Sequence, residues 1–518
     1  PNAVKRLTVP AELARETRDF RVVDAGSGRV SWSGAFGPEV ETAASDTSER
    51  VAIGDFSALT DPGRYVVELA NGERSSEFRI AATVWNEAYV LAARAMYLWR
   101  CGCAVRGEWR GKVHGHAACH RHDGFLDFVG GPSGARRDAT GGWHDAGDYN
   151  KYVVNAGVTV GMLFRAWEHF GDRIASLSLD IPESGNGTPD LLNELRYEFD
   201  WLFKMQFEDG RVSHKLTALN FDYRDVPEGD PDRRYFCPWG TAATADFVAM
   251  MALGARHFRA YDASYAARCL AAAHRGWDCL LAHPDHVEPD QSTFSTGGYG
   301  AQDKSHRLWA AVEMWETTGE ARFLRDFEQR APAYAFNRLG PVWYDVEDLA
   351  LGAYLEASRK TERDRDLVAK LEESLFARAA EAAREAEANP HGRPLGAERE
   401  CFEWGGNGRV AGQTYQLHLA DRLRPDPSYR RAAEQALAHL FGRNFHGRSY
   451  VTGLGGNPPL NPHDRRGGAW PGYLVGGPWP TARDWFDVVE DYRTNEIAIN
   501  WNAALIYALA AFVEPAGA

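Results

Sequence analysis

The chain has 518 residues, 44% hydrophobic and 25% charged, a soluble globular composition too long for one ordinary core, so two domains are expected. A formal net charge of −14 argues against a nucleic-acid partner, because phosphate recognition needs a basic surface. No apolar run reaches the length of a membrane span, and seven cysteines are too few, and odd in number, for a disulfide-stapled scaffold.

Residues 1–82 read as short strands broken by turns, as in "DFRVVDAGSGRVSWSG" and "RVAIGDFSALTDPGRYVVELANGERSSEFRIA". Asn71-Gly72 between two apolar runs predicts a hairpin. Strands at this spacing predict a small β-sandwich, and no acid, His or Cys cluster there has catalytic spacing.

From Thr83 the apolar spacing becomes helical, first in "TVWNEAYVLAARAMYLWR". "PDLLNELRYEFDWLFKMQF" places Leu191, Leu192, Leu195, Phe199, Leu202 and Phe203 on one face, with Pro189 and Asp190 in its first turn. Helical patterns recur near 152–170, 239–258, 262–282, 306–319, 321–330, 346–358, 363–388, 408–422, 428–441 and 495–513. About twelve helices joined by alternately short and long loops predict a mainly α domain over 83–518, a closed toroid of helical hairpins. The charged run "RKTERDRDLVAKLEESLFARAAEAAREAEA" reads as a solvated outer helix.

Three stretches carry candidate chemistry. In "GGWHDAGDYNKY", Asp145 and Asp148 lie three apart among glycines. Turn chemistry is the ordinary reading of such a segment. A carboxylate pair there can also bind and deprotonate a water, one acid raising the other's pKa by like-charge repulsion. Glu496 sits at the expected start of the last helix, where the dipole would lower its pKa, whereas a general acid needs a raised one. "SYVTGLGGNPPLNPHDRRGGAW" is too rich in Gly and Pro for a regular element and puts His463 and Arg465 in a loop. Trp 17, Tyr 20 and Phe 25 make the chain 12% aromatic, suited to core packing and to a groove that stacks sugar rings.

Taken together these segments resemble glycoside hydrolase family 9, the inverting cellulase family. "GGWHDAGDYNKY" is similar to its base motif, "SYVTGLGGNPPLNPHDR" to its Pro-His-x-Arg signature, and "WFDVVEDYRTNEIAINWNA" to its Asn-Glu signature. The match spans about 84–513, and residues 1–82, with "PGRYVVEL", resemble the immunoglobulin-like domain of one branch. The resemblance implies an (α/α)6 toroid behind an immunoglobulin-like β-sandwich. It implies Asp148 as general base, Asp145 as its helper, Glu496 as general acid, and His463 and Arg465 as sugar-binding residues. Trp404 in "FEWGGNGRV" is expected to stack sugar; Trp143, Trp239, Trp343 and Trp501 are weaker candidates, with packing favoured for most.

Cys101, Cys119, His120 and His144 form a Cys₂His₂ set typical of structural zinc, and the resemblance implies a zinc site there. Cys103, His114, His116 and His122 are neighbouring alternatives. The family's calcium loop places an Asp-Glu pair where this chain has Ser305 and His306, so that site is expected to be lost or weakened. Glu183 remains an available ligand elsewhere.

The expected activity is endo-acting cleavage of β-1,4-glucan, with a β-glucan polysaccharide or oligosaccharide as substrate partner, no membrane partner, and a monomer. Exo action, as a β-glucanase, β-glucosidase or glucosaminidase releasing glucose, cellobiose or glucosamine from chain ends, is the alternative, and the insertion "GEWRGKVHGHAACHRHDGFLDFVGGPSGARRD" is a candidate wall across the cleft. A non-catalytic glycan binder is disfavoured by the intact acids. A zinc hydrolase is disfavoured by four protein ligands, which leave no open position. A polymer substrate favours an extracellular location, with an intracellular oligosaccharide role kept open by the unpaired cysteines.

Overall fold

The computed structural model describes residues 1–43, 46–221, 226–337, 339–396 and 401–515. The first part is β1 (Arg6–Pro10), α1 (Ala11–Thr17), β2 (Asp19–Asp24), β3 (Val30–Ala35), β4 (Val40–Glu41), β5 (Arg50–Asp55), β6 (Gly63–Leu69) and β7 (Phe78–Ile80). The strands form two antiparallel sheets, β1-β5-β4 and β3-β2-β6-β7. Alternation along β6 turns Tyr65, Val67 and Leu69 inward, onto Phe20, Val22 and Phe56. The Asn71-Gly72 hairpin forms as expected: Gly72 adopts φ +90° and its amide donates to the Leu69 carbonyl at 3.0 Å. Helix α1 was not expected, because seven residues are too few to show a helical period.

Twelve long helices follow among the described residues: α2 (Asn86–Leu98), α3 (Val153–Ile174), α4 (Asp190–Met205), α5 (Thr241–His257), α6 (Ala263–Ala282), α7 (Lys304–Thr318), α8 (Ala321–Arg330), α9 (Glu347–Leu355), α10 (Arg365–Ala388), α11 (Gly406–Leu423), α12 (Pro427–Leu440) and, after the single turn α13 (Tyr492–Asn495), α14 (Ile499–Ala510). They alternate outer and inner. The inner helices α3, α5, α7 and α9 pack in series, and α11 packs on α14, which returns to α3. Between α9 and α11 the ring is joined by Gln416, whose Nε2 donates to Asp348 Oδ2 at 2.6 Å. Inner helices are buried on nearly all sides: α5 is buried from Thr241 to Ala255. The charged α10 buries only Leu367, Leu371, Leu375 and four alanines, as its sequence predicts for an outer helix. No described helix is long and apolar enough to cross a membrane.

Small antiparallel pieces decorate the toroid. β8 (Val105–Trp109) and β9 (Lys112–His116) make a hairpin, and β10 (Lys151–Tyr152), β11 (Lys215–Thr217) and β12 (Tyr235–Phe236) make a short sheet. The latter holds the base motif against the start of α3. The insertion packs beside it: Phe128 meets the rings of Tyr235 and Phe294, each at 5.1 Å between centroids.

Candidate active site

The six inner helices begin around one cleft, and the segments just before them supply its side chains. Asp145 and Asp148 lie ahead of α3, Tyr299 ahead of α7, Trp343 ahead of α9, Trp404 ahead of α11 and Glu496 ahead of α14. The structure brings Asp145, Asp148, Glu496, His463 and Trp404 together, as the sequence predicts.

Asp145 is 1% exposed and fully held: Asn155 Nδ2 donates to Oδ1 at 2.7 Å and the Tyr299 hydroxyl to Oδ2 at 2.6 Å. Burial, then the charge of Asp148, pushes its carboxyl up to about 8 against those hydrogen bonds. Asp148 is fixed by one oxygen only: Oδ2 accepts from Asn150 Nδ2 at 2.6 Å and from the Tyr152 hydroxyl at 3.0 Å. Its Oδ1 takes no partner among the described residues and is not sealed from solvent. Burial and the adjacent carboxylates hold the phenols of Tyr152 and Tyr299 well above their ordinary value, so both stay donors. Tyr299, Tyr152, Asn150 and Asn155 were missed in the sequence reading. Three of them lie in or just after the base motif, whereas Tyr299 lies in the segment compared with the family's calcium loop, and its letters do not tie it to Asp145.

Glu496 departs from its expected place. It lies between α13 and α14 in extended backbone (φ −69°, ψ 156°), not in the last helix. The cause is a strand-like pairing: Glu496 bridges His463, Ile497 bridges Val475, and the Gly476 amide donates to the Glu496 carbonyl at 2.8 Å. Burial, then the charges of Asp148 and Asp145, holds its carboxyl well above the ordinary range. Hydrogen bonds from the Gly147 amide and the Trp404 side chain pull the other way and lose. Gly147, between the two aspartates, thus touches the acid as well. A Cβ there would stand 2.6 Å from the His463 carbonyl oxygen and 3.4 Å from Glu496 Oε1.

His463 is half-buried, its amide on the Asn495 carbonyl at 2.8 Å and its Nδ1 2.5 Å from the Val489 carbonyl oxygen. Arg465 is half-buried at the same rim; the Tyr149 hydroxyl donates to its carbonyl at 3.0 Å, and its guanidinium lies 5.5 Å from the Phe221 ring. Trp404 is 51% exposed, with Tyr492 and Trp501 edge-on at 6.3 Å. Trp343 is half-buried against Tyr299 at 4.9 Å. Trp143 is no platform: it is 1% exposed, and its indole N–H donates to Glu194 at 2.7 Å. Trp239 packs on His283, and Trp501 lies behind Trp404 against Gly405 and Gly408.

Cys101, Cys119, His120 and His144 converge, each offering a ligand atom within 4.8 Å of the others. The donor set fits a tetrahedral metal. Nδ1 of both imidazoles is buried with no hydrogen-bond partner among the described residues. Burial keeps His144 neutral, as a ligand must be. Burial opposes a Cys101 thiolate, but the Cys119 hydrogen bond and the Arg234 charge outweigh it. Asp230 accepts at 3.1 Å from His120 Nε2, the carboxylate–histidine support common behind metal ligands. Of the alternatives, Cys103, His114, His116 and His122 stand outside the cluster. At the expected calcium loop, His306 Nδ1 lies 2.7 Å from Asp246 Oδ1, both fully buried. Glu183 is engaged by Arg100, which also holds Glu194.

Comparison with known proteins bears on the family and the fold. Residues 85–509 match the model of glycosyl hydrolase family 9, and residues 1–74 that of the cellulase N-terminal ig-like domain. The chain is 46% identical over 523 residues to Endoglucanase D of Acetivibrio thermocellus, covering 99% of this chain and 82% of that one. It superposes with a TM-score of 0.91 on a metagenome-derived glycoside hydrolase family 9 endoglucanase, 36% identical, covering 99% and 97% of the two chains. It superposes with a TM-score of 0.90 on a Zn-binding triple mutant of the family 9 endoglucanase J30, 32% identical, with each chain fully covered. The chain belongs to glycosyl hydrolase family 9 and carries that family's N-terminal immunoglobulin-like domain.

Proposed function

We propose that the protein is an endo-β-1,4-glucanase that cleaves β-glucan with inversion at the anomeric carbon. Endo action is supported by the likeness to Endoglucanase D over the whole chain. The observation that carries the chemistry is the division of labour among three carboxyl groups in one cleft. Desolvation keeps a proton on Glu496, while Asp148 presents one open oxygen. A water on Asp148 Oδ1, oriented by Asp145, loses its proton to Asp148 as its oxygen attacks the anomeric carbon. Glu496 gives its proton to the departing glycosidic oxygen, and no covalent intermediate forms. Inverting enzymes hold such groups roughly 6.5–9.5 Å apart to admit the water. His463 and Arg465 bind the sugar at the scissile bond, and the Trp404 face stacks on it.

Cys101, Cys119, His120 and His144 would hold a structural zinc ion, whose chemistry is to cross-link the segment after α2 and the 119–120 segment to the start of the base loop. His144 adjoins Asp145, so this cross-link steadies the base from behind. The protein acts as a monomer, outside the cell, where a polymer too large to cross a membrane is met.

The test is a proton NMR time course on cellopentaose with wild type, Glu496→Gln and Asp148→Asn. The expected result is early α-anomer from internal cleavage, with both variants slowed by about 10²–10⁴-fold. Early β-anomer, or full activity in either variant, overturns the assignment. Release of one unit at a time moves it to exo action.

A further inference from the structure

We propose that Arg234, just before β12, is a positioning residue that ties the metal centre to the catalytic base; the proposal rests on the zinc reading above. Arg234 is 1% exposed and every guanidinium nitrogen is used. Nη2 donates to Cys101 Sγ at 2.9 Å. Nε donates to Asp123 Oδ1 at 2.8 Å, and Nη2 also reaches Asp123 Oδ2. Nη1 donates to the backbone carbonyl of Tyr149, the residue between Asp148 and its partner Asn150. The Tyr149 ring in turn lies against both imidazoles of the cluster, 5.5 Å from His120 and 5.1 Å from His144.

One planar cation therefore joins a thiolate ligand to the peptide that aims the base. A guanidinium can serve three acceptors in fixed directions, which a lysine ammonium on a flexible stem cannot. Asp123 holds the guanidinium in plane and is itself held by Lys151 Nζ at 3.0 Å, which also binds the Gly141 carbonyl at 2.7 Å. Filling the metal site fixes the Cys101 sulfur, hence the guanidinium, hence the Tyr149 carbonyl.

The test uses the full chain loaded with Co2+, in wild type and in Arg234→Lys, together with metal-stripped samples of each. Wild type is expected to bind one cobalt with a thiolate-to-metal charge-transfer band. In Arg234→Lys that band moves to lower energy, because the sulfur loses an N–H donor, and kcat falls by about 10–100-fold with KM nearly unchanged. Stripping the metal lowers kcat of wild type by a comparable factor but adds little in Arg234→Lys. An unmoved band, or an equal effect of stripping on both proteins, overturns the role of Arg234. So does a wild type whose kcat ignores the metal well below its unfolding temperature, an outcome that needs no variant to fold. Failure of wild type to bind cobalt or zinc at all overturns the zinc reading instead, and the Arg234 proposal falls with it.

Discussion

Glu496 can be argued two ways, and magnitudes decide. A carboxylate just ahead of a helix gains roughly 0.3–1 kcal/mol from the dipole at an exposed site. Burial beside two other acids costs the charged form several times more, so the proton stays. The sequence shows the helix-end position but not the burial, which is set by segments far away in the chain. Trp404 supplies a way to check the balance, since its side-chain hydrogen bond favours the charged form of Glu496. Trp404→Phe keeps an aromatic face and removes that donor, so the acid's pKa rises. In the proposed mechanism activity needs Glu496 protonated and is lost as pH climbs through that pKa. The alkaline limb of kcat/KM on a soluble cello-oligosaccharide is therefore expected to move to higher pH; a downward move would contradict the assignment. The convergence of the three acids, and of Cys101, Cys119, His120 and His144, was legible because short motifs carry these residues. Tyr299 was not: it meets Asp145 across 154 positions, one tyrosine among twenty.

At the scale of elements, every long helix was legible from its 3.6-residue period. The exceptions lie where pairing overrode the period, as at Glu496, whose backbone joins His463 and the 475–476 segment. The β10-β11-β12 sheet was illegible because strands of two or three residues carry no pattern. The contact between the base loop and the acid segment is made at Gly147. Gly147→Ala would put a methyl group 2.6 Å from the His463 carbonyl oxygen, pushing the two segments apart. The expected outcome is a kcat loss of about 10²-fold, the order that an ångström of misplacement costs, with little change in unfolding temperature. Steady-state kinetics beside a thermal melt checks it; undiminished kcat would show that the loops absorb the methyl group.

For the whole molecule, the β-domain docks on the outside of the toroid, near the end of α10. Thr8 donates to the Pro390 carbonyl at 2.7 Å, Asn389 to Asp46 at 2.8 Å, and Arg483 to the Ser48 carbonyl at 2.9 Å. None of these residues lines the cleft. A chain beginning at Thr83 is expected to unfold about 5 °C or more below the full chain, because it exposes that interface, while keeping its kcat at 25 °C. Calorimetry of both proteins measures the first and initial rates the second. Equal unfolding temperatures would mean that the docking contributes no stability. That two folds succeed each other was plain from the change in period at Thr83; their mutual packing was not, because it rests on polar contacts between residues more than 300 positions apart.

The ring closes where α14 meets α3, and the Ile499 amide that opens α14 donates to the Asp145 carbonyl at 2.9 Å. The two halves of the chemistry thus flank the seam, one from the first inner helix and one from the last. During synthesis the base is made some 350 residues before the acid, and a partly translated chain has nothing to cleave with. With the proposed roles, hydrolysis switches on only when α14 leaves the ribosome and seats, so the appearance of product is itself a clock for closure of the ring.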